Sequence, residues 1–135
     1  MTRLWDKGQP LDARVLGYTA GEDHVLDNRL VRHDVAASIA HAEMLNACGL
    51  LTAADLKLIR DALSAIGDAH ARGAWQVRLE HEDGQTALEN LLTEKIGAPA
   101  GRLHAGRSRN DQVLAALRLY MREAVEELRA GVNAV

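Results

Sequence analysis

The sequence has no phenylalanine, and aromatic residues of all kinds make up only 3% of its 135 positions. Sheets draw on aromatic and β-branched side chains, whereas alanine and leucine recur throughout this chain and both favour helix. An all-α fold is therefore expected. Cys48 is the only cysteine, which excludes an intrachain disulfide framework and fits a reducing, cytoplasmic setting. Proline occurs twice, as Pro10 and Pro99, each expected to stand outside a helix. No apolar stretch approaches the roughly 20 residues that span a bilayer, and the first residues lack the apolar centre of a secretory signal, so neither insertion nor export is expected. Basic residues are outnumbered by acidic ones, 16 to 19. The formal net charge of −3 gives no overall field that would draw the chain to nucleic acid or an acidic membrane.

What is present is helical periodicity. Hydrophobic residues form 47% of the chain, enough for the core of one domain. The first 20 or so residues read as an irregular arm. A helix is predicted from about Arg32 to Cys48, with Val35, Ile39, Ala42 and Leu45 on one face and Gly49 as its stop. Thr52 and Asp55 have the spacing of a capping box, and Leu56, Ile59, Leu63 and Ile66 continue a second helix towards Gly73. Trp75, Val77 and Leu79 alternate as in a strand but lack a partner, so residues 74–81 read as an extended connector. Glu82 and Asp83 suit the positive start of a third helix, which turns Leu88, Leu91, Leu92 and Ile96 inward and stops at Gly97 before Pro99.

A last helix starts near Ser108. Leu114, Met121, Leu128 and Val135 recur every seven residues, interleaved with Leu117 and Ala124 and widened by Val113, Tyr120, Val125 and Val132. At 1.5 Å per residue, some 25 residues would reach roughly 37 Å. A stripe so wide suits a helix packed among several others, and little in 135 residues is available to cover it.

Between the last two predicted helices lies Gly101-Arg-Leu-His-Ala-Gly-Arg-Ser-Arg-Asn-Asp-Gln112, where polar, cationic and glycine residues are densest. Ser108 and Asp111 are spaced as a capping box, so one reading is a well-capped helix with solvated arginines. The other reading uses the same geometry. Free backbone N–H groups at the helix start, the guanidinium forks of Arg107 and Arg109, and the carboxamide of Asn110 would together suit a carboxylate or phosphate. The residues argue against a phosphate-binding P-loop, because Arg107 replaces its lysine and the preceding segment reads as helix rather than strand. The six histidines show no metal-ligand spacing, so neither a metal nor another cofactor is expected. His41 reads as a packed or surface helix residue, and His104 as either a structural partner of the loop or a substrate contact.

Taken whole, Leu103-His-Ala-Gly-Arg-Ser-Arg-Asn-Asp-Gln112 resembles the signature of the argininosuccinate lyases and their lens relative, delta crystallin. Further stretches agree in order and spacing: His33 to His41, Gly49 to Thr52, the pair Glu82 and Asp83, and Leu117 to Tyr120. The resemblance implies an N-terminal helical domain, residues 1–110, leading at 111–135 into a central helix bundle built across a homotetramer. It also implies cleavage of argininosuccinate to arginine and fumarate by β-elimination. Ser38 and Asn110 match the family's substrate-binding positions, with Arg109 and Ser108 in the same anion-holding loop and Arg107, His104 and Gln85 as further contacts. The family's catalytic acid and base are expected beyond position 135, so no catalytic residue is expected within this chain, which alone would be inactive. A non-catalytic assembly module, like the lens crystallins, is the alternative. Two positions depart from the pattern: Gln85 stands where histidine is usual, and Ala105 where threonine is usual. Glutamine keeps hydrogen bonding but loses titration near neutrality.

Overall fold

The computed structural model describes residues 12–134, and seven α-helices account for most of them: α1 (Ala13–Ala20), α2 (Asp23–Leu26), α3 (Val31–Ala47), α4 (Ala53–Ala71), α5 (Gly84–Ile96), α6 (Ala98–Arg102) and α7 (Arg109–Asn133). No strand is found among the described residues. The fold is all-α, as the composition predicts.

Helix α3 is the hub. It packs against α4 on one side and α7 on the other, and also touches α5. Val31, Val35, Ala42 and Leu45 join Ile59, Ala62, Leu63 and Ile66 of α4 and Ala87, Leu88 and Leu92 of α5 in one core, closed by Leu51, Val77, Ala100 and Leu103. Burying a side chain such as Leu63 or Ile66 contributes about 1.5–3 kcal/mol, so these positions fix the helix order. The predicted inward residues hold for Ile59, Leu63 and Ile66 of α4 and for Leu88 and Leu92 of α5, while Leu56, Leu91, Ile96 and Ile39 are only partly buried at the core margin.

Several helix ends follow from local chemistry. The Thr52 side chain accepts from the Asp55 N–H, as predicted, but the reciprocal half of the box is absent because the Asp55 carboxylate turns to Arg102. Gly49, at φ +73°, reverses the chain after α3, and the following amides return to the Leu45 carbonyl. Residues 74–78 have no strand partner because Asn28 substitutes for one. Its carboxamide accepts from the Val77 N–H at 2.9 Å and donates to the Val77 carbonyl at 3.0 Å. A short 3₁₀ turn over Leu79–His81 follows.

Two expectations are corrected. Residues 13–20, predicted as part of an irregular arm, form α1, capped by Asp12, whose carboxylate accepts from the Arg14 N–H at 2.8 Å. Gly17 and Thr19 weaken its helical pattern, and only Ala20 is buried. Pro99 lies inside a helix, in the first turn of α6, where the missing N–H has no intrahelical acceptor to lose. Pro10 and the remainder of the arm, residues 1–11, lie outside the described residues.

Candidate functional site

Three elements converge around the loop 103–108: the polar face of α3, the start of α5 and the start of α7. On α3, Asp34, Ser38 and His41 recur at steps of four and three, which aligns them along one face. Each has a distinct partner. His41 Nε2 lies 3.0 Å from the Ala105 carbonyl, tying the loop to α3. The Ser38 hydroxyl, only 2% exposed, accepts from Arg107 Nη2 at 3.3 Å. Asp34, 4% exposed, accepts from the Gln85 carboxamide, which is equally buried.

Helix α5 carries the acidic side. Its cap, Asp83, accepts from the Thr86 N–H at 2.7 Å and from Arg109 Nη1 at 2.8 Å. Arg109 also reaches the Thr86 hydroxyl at 3.2 Å and, through Nη2, Glu89 at 3.7 Å. The other Glu89 oxygen lies 2.9 Å from His104 Nε2, and Gln112 donates to His104 Nδ1 at 3.4 Å. His104 thus bonds side chains on α5 and α7 rather than loop backbone. Glu82, at φ +69°, occupies the left-handed region just before the cap, and Gly84 sits so close to Asp27 that an added Cβ would lie 3.0 Å from the Asp27 Cβ. The Gly84 N–H donates to Asp27 at 2.7 Å. Tight approach at this turn fixes where α5 begins.

At α7 the capping box is complete: the Ser108 hydroxyl accepts from the Asp111 N–H, and the Asp111 carboxylate accepts from the Ser108 N–H at 2.7 Å. Ser108 is therefore engaged in the cap. Asn110 follows one residue into the helix, exposed to solvent. The capped helix start is thus present as the spacing predicts.

The electrostatics are uneven. Burial, then the nearby charge of Asp27, pushes the Asp34 carboxyl up to about 7, and the Gln85 hydrogen bond offsets this only in part. Burial would also raise Glu89, but His104 and Arg109 outweigh it and hold that carboxyl below its ordinary range. For Arg107 burial disfavours the charged form, opposed by the fields of Glu89, Asp34 and Asp111. Among the described residues, no group of three histidine, cysteine, aspartate or glutamate side chains is arranged to hold a metal ion.

Of the residues singled out from the sequence, Ser38, Arg107, His104 and Arg109 are thus joined through the loop and α5, with Ser108 and Asn110 at the start of α7. Gln85 stands one contact away, behind Asp34. Sequence reasoning passed over Asp34, His41, Asp83 and Glu89 as parts of this arrangement. The alignment of Asp34, Ser38 and His41 was a usable signal.

The profile of a protein family described as Lyase matches residues 13–134. The chain belongs to this lyase family. Relatives at comparable similarity are argininosuccinate lyases, and the likeness is to an amino-terminal part of them. That of Thermotoga neapolitana is 40% identical over 127 residues, 94% of this chain and 32% of the relative. That of Sorangium cellulosum is 42% identical over 132 residues, 98% and 31% respectively. The chain spans about a third of the length of the relatives it matches. The α3–α5–α7 junction brings together hydrogen-bond donors, helix caps and a buried carboxyl, and no helix among the described residues is long and apolar enough to cross a membrane.

Proposed function

We propose that this segment provides the substrate-binding wall of an argininosuccinate lyase, which releases arginine and fumarate in arginine biosynthesis. The observation that carries the reading is the contact of Ser38 on α3 with Arg107, 69 residues on, in the loop resembling the lyase signature. In the elimination, a base takes a proton from the carbon beside a carboxylate, negative charge gathers on the succinyl end, and the C–N bond breaks. The guanidino nitrogen takes a proton and departs with arginine. Preorganised donors lower the energy of such developing charge. Ser38, Asn110, Arg109 and Ser108 form this donor set, with Arg107, His104 and Gln85 around it, while the acid and base come from outside residues 1–135. Residues 1–110 then form the helical N-terminal domain, and 111–135 open a central bundle shared by a cytoplasmic homotetramer.

The test is a chimera in which residues 1–135 replace the aligned segment of the Thermotoga neapolitana relative, assayed for fumarate release from argininosuccinate. Turnover is expected in the chimera and not in the 135-residue chain alone. Asn110→Ala in the chimera should cost about 2–4 kcal/mol of transition-state stabilisation, a loss typical of one oxyanion donor. Ser38→Ala should cost less, about 0.5–1.5 kcal/mol for a neutral hydrogen bond. Neither substitution opens a large cavity, so melting temperatures should hold. Wild-type turnover in Asn110→Ala would remove that residue from the site. A chimera that folds and assembles without turnover would favour a non-catalytic assembly module.

A further inference from the structure

The connector after α4 and one face of α5 line a second cavity, of about 510 Å³, which shares no residue with the α3–α5–α7 junction. Cavities of this size hold small organic ligands. One wall is Trp75, partly buried against the core, whose ring meets His70 at 6.2 Å and His81 at 6.3 Å between centroids. Those two contacts fix the indole plane. On the α5 side, Asn90 and Glu94 stand one helical turn apart, which places their Cβ atoms about 5–6 Å from each other. Neither has a partner. Asn90 Nδ2 is enclosed and donates no hydrogen bond, and the Glu94 carboxylate meets neither a cation nor a donor among the described residues. Leaving an enclosed amide donor unpaired is costly, which points to an acceptor brought in from outside the chain.

We propose that this cavity binds a guanine base stacked on Trp75, with Asn90 donating to its O6 and N7 edge and Glu94 accepting from N1–H and the 2-amino group. Stacking on an aromatic ring is open to every base, so selection falls to the two α5 side chains. A cation such as guanidinium would answer Glu94 but leave Asn90 Nδ2 without an acceptor. Adenine reverses the pattern, because its amino group would face the Asn90 donor and its ring nitrogen the carboxylate. No lysine or arginine lines the cavity, so the base and not a phosphate is what is recognised. The last torsion of an asparagine side chain is soft, so the amide turns onto the base at little cost. A base held there bridges the connector to α5, the helix that also carries Thr86 and Glu89 of the junction.

The test uses the 135-residue chain labelled with ¹⁵N, titrated with guanosine, while the Trp75 indole N–H and Asn90 side-chain amide resonances are followed. Both should move and saturate with one dissociation constant, and the Arg109 Nε–H signal of the junction should stay in place. This comparison needs no variant, so a folding defect cannot obscure it. Inosine, which lacks the 2-amino group, should bind about tenfold more weakly, the loss of one hydrogen bond to a charged acceptor. Adenosine should not saturate. Glu94→Gln, at an exposed position, should weaken guanosine binding by about tenfold and remove most of its preference over inosine. Asn90→Ala should weaken guanosine binding by a similar factor and leave the melting temperature unchanged, because no hydrogen bond of the fold is lost. The proposal is overturned if guanosine moves neither resonance, or if adenosine, arginine or methyl glucoside moves both as strongly as guanosine does.

Discussion

Asp34 is a carboxyl buried to 4% exposure on the central helix, with one neutral donor, Gln85, and no cation in direct contact. Burial is the largest cause of its rise to about 7, with Asp27 adding to it. Because the folded-state value lies above the unfolded one, the folded chain binds the proton more tightly. Its favourable contribution is therefore complete below about pH 4 and is lost as pH rises towards 7. Three units correspond to roughly 4 kcal/mol at most. Asp34→Asn keeps an acceptor for Gln85 and removes the charge. Its urea midpoint should match that of the parent at pH 4 and exceed it increasingly up to pH 7, with a constant gap above. A parent that gains on the variant over that window would show that Asp34 is ionised and stabilised by its surroundings. None of this was legible from residue types alone. The spacing of Asp34, Ser38 and His41 is written in the sequence, but the partners of those residues lie 51, 69 and 64 positions away and depend on how α5 and the loop pack.

Helix starts carry much of the order in this site, and their caps were the most legible feature of the sequence. The Ser108 and Asp111 pair and the Thr52 cap occur where spacing predicts them, as do the stops at Gly49 and Gly97. Legibility failed where an element is short or is completed by a distant group. Helix α1 is eight residues long and mostly exposed, and the connector at 74–78 is completed by Asn28 from elsewhere in the chain. The destination of the Asp55 carboxylate was likewise invisible, since Arg102 lies 47 residues on. The Ser108 cap permits a quantitative check at this scale. Ser108→Ala deprives the Asp111 N–H of its acceptor and should destabilise the 135-residue chain by about 0.5–2 kcal/mol, the usual range for losing an N-cap. Ser108→Asp restores an acceptor at a positive helix end and should recover most of that loss. Equal midpoints for parent and Ser108→Ala in thermal melts would mean that α7 is held by its packing on α3 alone.

Across the whole molecule, the largest feature not consumed by the fold is the outer face of α7. The side that meets α3 is small and polar: Gln112 and Ala116 are buried, and Glu123 pairs with Arg32 at 2.6 Å and with His33 at 3.3 Å. Most of the predicted apolar stripe points elsewhere, Tyr120 excepted, whose ring meets His33 of α3 edge-on. Leu114 and Met121 are more than half exposed, and Leu128 and Val132 reach 70% and 75%. A stripe of seven large apolar side chains along 25 residues is far more than scattered surface hydrophobicity, and exposed faces of this kind mark association surfaces. Its heptad spacing further suits packing against other helices at a shallow angle. The 135-residue chain should therefore self-associate in sedimentation velocity, with the larger species growing as concentration rises. Met121→Glu together with Leu128→Glu places charge in the middle of the stripe, at positions outside the core and more than half exposed. This pair should shift the chain to the monomer while leaving its helical circular dichroism signal and melting midpoint at low concentration nearly unchanged. A parent chain that stays monomeric at high concentration would show that the stripe is tolerated in water. A double variant that unfolds would instead show that α7 contributes its outer face to this chain's own stability.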